Sequence, residues 1–350
     1  MIYRTILALR HLAYDKGWKK TFKAPVPTIC VGNITVGGTG KTPHTEMILR
    51  KLLEHGRENL AVLSLGYKRK SKGFQLAGAD ATARLVGDEP LQIARKFTTV
   101  TVAVDKNRVH GCQLLTSGTG VFPEAEKMAD ASGKTPVPSV IILDDAFQYR
   151  KLEATLNIVL VDYNRPVFEE KLLPWGNLRD LPSQLKRAQV VIVSKCPAEL
   201  DPVERGEWRT RLKLTEQQDL FFTTIGYGQP EPVFPEADLH YLYSKRLVLI
   251  SGIANNTPLR MYLSDTYQIV QRLEYPDHHR FRAGDIRAIA SAVKANPTAC
   301  LMTTEKDAQR LRESKNVPDS IRQRLFYMPI QAQFLSQEDD AAFTETLMSL

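Results

Sequence analysis

The sequence predicts an α/β protein, a P-loop NTPase-like parallel sheet flanked by helices and followed by a second, smaller α/β unit, and three observations predict it. From residue 27 short β-branched runs alternate with longer helical stretches, the pattern of βα units on a parallel sheet. Several of those runs are apolar at consecutive positions, as strands covered on both faces must be. A Pro- and Gly-rich stretch, 226–239, divides the units into a first set and a second.

Taken in order, residues 1–24 carry Arg4, Arg10, Lys16, Lys19, Lys20 and Lys23 against one acid, Asp15, with Ile2, Ile6, Leu9 and Ala13 recurring at helical spacing. A basic amphipathic helix of this kind, with Tyr3, Tyr14 and Trp18 suited to the headgroup zone, can lie in an anionic membrane surface; a helix docked over the core is the alternative. Strands are predicted at 27–33, 61–67, 99–105, 139–145, 157–163 and 190–196, making a first unit over 25–225. The segment 115–138 is rich in small and turn-forming residues and is predicted to be a surface insertion. Beyond a boundary near 225, strands at 246–254, 267–277, 299–307 and 325–332 make a smaller unit over 226–350. There is no internal repeat.

Composition narrows the class. With 43% hydrophobic and 25% charged residues in 350, the chain can bury a large core. Cys30, Cys112, Cys196 and Cys300 stand far apart, which argues against a zinc site or a disulfide framework and for reduced thiols. No apolar run is long enough for a membrane span and the start lacks a signal-peptide pattern, so the chain is expected to stay in the compartment of its synthesis. The net charge of +8 favours an anionic partner: lipid, a phosphorylated substrate or nucleic acid. Nucleic acid has only the charge in its favour, since no aromatic stacking motif accompanies it.

The most informative stretch is VGNITVGGTGKTP, 31–43, which follows a predicted strand and precedes a predicted helix. Thr35, Val36, Gly37, Gly38, Thr39, Gly40, Lys41 and Thr42 form a P-loop pattern: the glycines let backbone N–H groups turn inward, Lys41 supplies a cation for β- and γ-phosphates, and Thr42 a hydroxyl for Mg²⁺. The usual leading glycine is replaced by Thr35. A P-loop needs an acid at the end of a neighbouring strand to hold Mg²⁺, and SVIILDD ends in Asp144 and Asp145. Guanine specificity is disfavoured, because Ser194-Lys195-Cys196-Pro197 lacks the amide and carboxylate that read the base. Val36 stands where partitioning ATPases carry a second lysine, which weakens an energy-switch role.

The set GNITVGGTGKTP, GDEP (87–90), DDAFQYRKL (144–152), LNIVLVD (156–162), LLPWGNLRD (172–180), YPDHHRF (275–281) and TTEKDAQRL (303–311) closely resembles the tetraacyldisaccharide 4'-kinase (lipid A 4'-kinase) family, with the blocks in the family's order. The resemblance implies transfer of the γ-phosphoryl group of ATP to the 4'-hydroxyl of a lipid A disaccharide 1-phosphate precursor at the cytoplasmic face of an inner membrane. It also implies roles. Asp88 matches the family's catalytic aspartate and His278 its partner histidine, a pair that can take a proton from a sugar hydroxyl. Asp144 and Asp145 match its Mg²⁺-binding acids, and Arg179 with Asp180 an Arg-Glu pair near the nucleotide, the arginine suited to phosphoryl charge.

The chain departs from the family pattern at four places. Ala146 replaces a glycine, Tyr149 a histidine, Asp180 a glutamate, and Leu65 the arginine of an Arg-Gly-Tyr turn. Leu65 removes a positive charge, and the sequence leaves open whether Lys68, Arg69 or Lys70 replaces it.

Overall fold

The computed structural model describes residues 2–117, 136–277 and 279–350. Its larger sheet is assembled from β1 (Thr28–Asn33), β2 (Leu60–Ser64), β3 (Thr101–Val104), β4 (Val140–Asp144), β5 (Leu156–Asp162), β6 (Val190–Ser194) and β7 (Asp219–Tyr227), all parallel to their neighbours. The spatial order is β7-β6-β5-β1-β4-β2-β3, and each edge is closed by an antiparallel strand: Gln75–Leu76 beside β3, and Ile330–Phe334 beside β7. The smaller sheet holds β8 (Arg246–Ser251), β9 (Gln268–Glu274), β10 (Cys300–Thr304) and β11 (Leu325–Met328), again mutually parallel, with Glu231–Pro232 antiparallel at one edge.

The continuous apolar runs follow from two-sided burial. In β5, Ile158 and Leu160 enter one core while Val159 and Val161 enter the other, and β6 divides its valines and isoleucine in the same way. One face is covered by α2 (Lys41–Glu54), through Met47, Ile48, Leu49 and Leu52. The other is covered in part by Trp208 and Leu212 of helix Pro202–Leu212. Burying each such side chain contributes about 1.5–3 kcal/mol, so the sheet is held by its sandwich rather than by strand propensity.

This topology positions a site. The chain leaves β1 for β2 on one side, and after returning through β4 it crosses β1 to β5 on the other, so the carboxyl end of β1 is a switch point where a crevice opens. The loop after β1, Asp144 and Asp145 after β4, and Ser194 at the end of β6 all lie there.

Two expectations need correction. The run 325–332 is not one strand of the smaller unit: Pro329 breaks it, β11 stays in the smaller sheet, and β12 (Ile330–Phe334) pairs with β7 of the larger one. The final helix, Gln337–Met348, follows it there, with Phe343 and Leu347 in the larger core. The smaller sheet is therefore entered at Gly228 and left at Pro329, whose carbonyl accepts from the Gly228 N–H at 2.9 Å, rather than running to residue 350. Most of the proposed insertion at 115–138 lies outside the described residues.

Candidate active site

Residues 34–40 join β1 to α2 in a tight turn. Gly37 and Gly40 have φ of 99° and 86°, a left-handed conformation that glycine alone adopts readily. A Cβ on Gly37 would also stand 3.2 Å from the Arg165 guanidinium. The turn is braced from below. Asn33 Nδ2 donates to Thr39 Oγ1 at 2.9 Å, Ser194 Oγ donates to the Thr39 carbonyl at 2.8 Å, and the Val36 N–H donates to the Asn177 carbonyl at 2.7 Å. Buried His44 lies 2.7 Å from the Gly40 carbonyl and 2.9 Å from Thr223 Oγ1. Burial pushes its imidazole down to about 4, so it is neutral, its Nδ1–H donates to Gly40 and its Nε2 accepts the threonine hydroxyl. Thr35, Thr39 and Thr42 are buried, whereas Gly37 and Gly38 are exposed at the apex, so the loop presents backbone to solvent.

The acids that follow β4 face this loop. Ser64 Oγ donates to Asp144 Oδ2 at 2.9 Å, and Lys41 Nζ stands 3.9 Å from Asp145 Oδ1. Arg179 forks onto Asp145, with Nη1 donating to Oδ2 at 3.1 Å and Nη2 reaching Oδ1 and Asn33 Oδ1. Burial, reinforced by Glu89 and Asp145, pushes Asp144 up to about 6. Burial opposes the charge of Asp145 as well, but Lys41 and Arg179 outweigh it and hold that carboxyl below the ordinary range. The mouth of the loop thus carries closely spaced charges of both signs.

Asp88 opens α3 (Asp88–Lys96), which packs against α8 (Glu305–Arg312) of the smaller unit, so a residue of the larger unit is held by the smaller one. Arg310 donates to Asp88 Oδ2 from Nε at 3.1 Å and Nη2 at 2.7 Å, while its Nη1 donates to Asp307 at 2.9 Å. Asp307 is fixed in turn by the Thr304 hydroxyl at 2.7 Å and the Gly252 N–H at 2.8 Å. Beside this junction, Lys306 meets Glu89 at 2.7 Å. Burial works against the Glu89 charge, yet Lys306, with Lys41 behind it, holds the carboxyl low; the fields of Lys41 and Asp145 both reach Glu89, which places the start of α3 beside the glycine-rich loop. Asp277 acts on Lys306, bringing its loop to the same junction. His278 lies outside the described residues. His279 is not a bare surface residue: its ring stacks on Tyr275 at 4.6 Å and its Nε2 lies 2.9 Å from Asp285 Oδ2.

Arg108 was missed by sequence reasoning. It is buried at the first position of helix Arg108–Thr116 and donates to the Asp144 carbonyl at 3.3 Å, and its charge acts on both Asp144 and Asp145. A cation in the first turn opposes the helix dipole, and that was the available signal. Arg69 does not take the place vacated at Leu65, because its guanidinium is bound to the Val104 and Gly73 carbonyls at 3.3 and 2.6 Å. Tyr149 is turned away to Asn107, at 3.0 Å.

Asp180 is turned toward the first helix rather than the loop. It is fully buried, with Oδ1 2.6 Å from His11 Nε2 of α1 (Ile2–Asp15). Tyr3 and Arg10 of α1 donate to the Arg179 and Gln148 carbonyls at 2.9 and 2.7 Å, and Arg150 meets Asp15 at 2.7 Å. The docked face of α1 thus joins these polar contacts to buried Leu7 and Tyr14, while Ile2, Ile6 and Leu9 are 79%, 57% and 61% exposed. His11→Ala is expected to strip the Asp180 carboxylate of a buried partner and lower stability by about 1–3 kcal/mol, read as a shift of the denaturant midpoint at unchanged slope.

Comparison with known proteins places the chain among relatives that share this framework from end to end. A profile described as tetraacyldisaccharide-1-P 4'-kinase matches residues 1–349. The tetraacyldisaccharide 4'-kinase of Phocaeicola vulgatus is 38% identical over 345 residues, covering 97% of this chain and 90% of the relative. That of Parabacteroides distasonis is 40% identical over 342 residues, covering 95% and 88%. Among solved structures, the "apo" form LpxK from Aquifex aeolicus in complex with ATP superimposes with a TM-score of 0.73 at 26% identity, covering 99% of this chain and 95% of that one.

Proposed function

This chain belongs to the tetraacyldisaccharide-1-P 4'-kinase family, and we propose that it transfers the γ-phosphoryl group of ATP to the 4'-hydroxyl of a tetraacyldisaccharide 1-phosphate as a P-loop enzyme working at a membrane surface. The observation that carries the mechanism is the convergence of Lys41, Arg179 and the Asp144-Asp145 pair at the mouth of the glycine-rich loop, with Asp88 brought alongside by Arg310.

In this reading the amides of 37–42 and Lys41 bind the β- and γ-phosphates, and Arg179 stabilises the charge that spreads over the moving phosphoryl group. Asp88 accepts the proton of the 4'-hydroxyl as that oxygen bonds to the γ-phosphorus and the bond to the β-phosphate oxygen breaks, releasing ADP. His278 would share the proton with Asp88. Arg310 keeps the carboxylate oriented, and Arg108 balances the acids from behind.

Thr42, Asp144 and Asp145 fit Mg²⁺: they are oxygen donors only, and the burial that raises Asp144, with the repulsion of Glu89 and Asp145 added, is the kind of cost a divalent cation relieves. Held there, the ion would supply positive charge to the phosphates.

The membrane assignment rests on the polarity of α1. An ordinary surface helix buries most of its apolar residues, whereas this one docks through Leu7 and Tyr14 together with the polar contacts of Tyr3, Arg10 and His11 and leaves Ile2, Ile6 and Leu9 outside. Among the described residues no helix is long and apolar enough to cross a membrane, so α1 would lie in the surface, at the cytoplasmic face of the inner membrane where its lipid substrate is phosphorylated. The test is a reaction of γ-labelled ATP with a tetraacyldisaccharide 1-phosphate in mixed micelles. Label is expected in a bisphosphorylated lipid, and active preparations that hydrolyse ATP without labelling it would refute the proposal.

A further inference from the structure

We propose that the turn 171–178 is a second bilayer contact, seating Trp175 in the headgroup zone of the anionic surface that receives α1. This rests on the reading of α1 as a membrane-surface helix and deepens it from one anchor to two.

Trp175 is 84% exposed. An indole on a loose loop would carry little meaning, but this one stands on a built turn. The backbone N–H of Trp175 donates to the Leu172 carbonyl at 3.0 Å, that of Leu173 to the Leu178 carbonyl at 3.0 Å, and that of Leu178 to the Lys171 carbonyl at 2.9 Å. The Asn177 amide spans both oxygens of Glu170 at 2.9 and 3.1 Å. The framework thus spends several hydrogen bonds holding a large apolar ring in a position that water disfavours, and a lipid interface is the environment that suits an amphipathic indole.

The occupant is argued from neighbourhood and charge. The turn ends at Arg179, whose carbonyl accepts the Tyr3 hydroxyl of α1 at 2.9 Å. On a helix Tyr3 lies only about 60° around from Ile6, so the turn sits beside the exposed apolar stripe of α1. Exposed Lys171 and Arg4 supply positive charge next to the two apolar elements, as an anionic bilayer requires. The turn is also bonded to the glycine-rich loop, through Val36 N–H to the Asn177 carbonyl at 2.7 Å and a bridge between Thr35 and Leu178. Anchoring it would therefore fix the height of the nucleotide site above the headgroups, where a sugar hydroxyl of a bilayer-held acceptor must be reached.

The chain has 3 tryptophans, of which Trp208 is buried in the core, so each exposed indole can be isolated by one substitution. Fluorescence is read on vesicles of anionic phospholipid with chains brominated near the headgroup, binding being scored by co-sedimentation. In Trp18→Phe, bromolipid is expected to quench about half of the emission, the share of one of two remaining indoles, and the quenching is expected to vanish in Trp18→Phe/Trp175→Phe. Equal quenching of the two variants on vesicles they both bind would overturn the proposal, and if Trp175→Phe were still quenched through Trp18 the helix reading would survive it. Failure of the wild-type chain to bind these vesicles or be quenched by them would remove the membrane reading and the proposal together. Quenching of Trp175 only by a brominated acceptor, and not by vesicles, would reassign the turn to the acyl chains of the substrate and likewise reject a bilayer contact.

Discussion

Lys41→Ala is expected to lower kcat/KM at least about 10³-fold and to leave the fold in place. The lysine opens α2 at the mouth of the loop, where its ammonium faces Asp145, and phosphoryl transfer depends on positioning and charge neutralisation more than on covalent help from the protein. Stability should change little. The 3.9 Å separation from Asp145 is long for an ion pair, and Asp145 keeps its fork with Arg179 when Lys41 is lost. Label transfer to lipid and a thermal melt of the same preparation separate the two effects. A variant that retains a tenth of wild-type activity would mean that Lys41 is not at the transferring phosphoryl group.

The second large effect is expected at Asp88. Asp88→Asn keeps the shape and an oxygen to accept from Arg310 but removes a base, so kcat should fall about 10²–10⁴-fold with KM for ATP nearly unchanged. The separation of kcat from KM matters. A residue that merely holds α3 against α8 would show its loss in stability and in both constants, and the amide should spare it. An Asn variant within a few-fold of wild type would reject the proton-acceptor role and return Asp88 to a structural contact between the two units.

How much of this was legible in the sequence depended on range. Strand positions in the first unit came from consecutive apolar residues, and the crevice from one turn and one acid pair, all local signals; the observed β1, β4 and β5 lie within a residue or so of the expected limits. Strand β7 was not foreseen because DLFFTTIGY is only partly covered and carries a glycine near its end. The run 325–332 was misjudged because apolar continuity across Pro329 says nothing about which sheet each half joins. Pairings between distant residues left no trace in the sequence. His11 meets Asp180 169 positions away and Arg310 meets Asp88 222 away, so the polar contacts that dock α1 and the hold of the smaller unit on Asp88 emerge only from the fold. Asp180 shows the difference most plainly: resemblance pairs it with Arg179 near the nucleotide, and the fold adds its buried contact with His11 of the first helix.

The account depends on a nucleotide held between the glycine-rich loop and the acids that end β4. A crystal structure with a non-hydrolysable ATP analogue and Mn²⁺, located by anomalous scattering, measures that directly. The β- and γ-phosphates should lie on the amides of 37–42 with Lys41 turned to them, and the metal between those oxygens and Thr42, Asp144 and Asp145. A triphosphate bound elsewhere, or a metal peak remote from both aspartates, would contradict it.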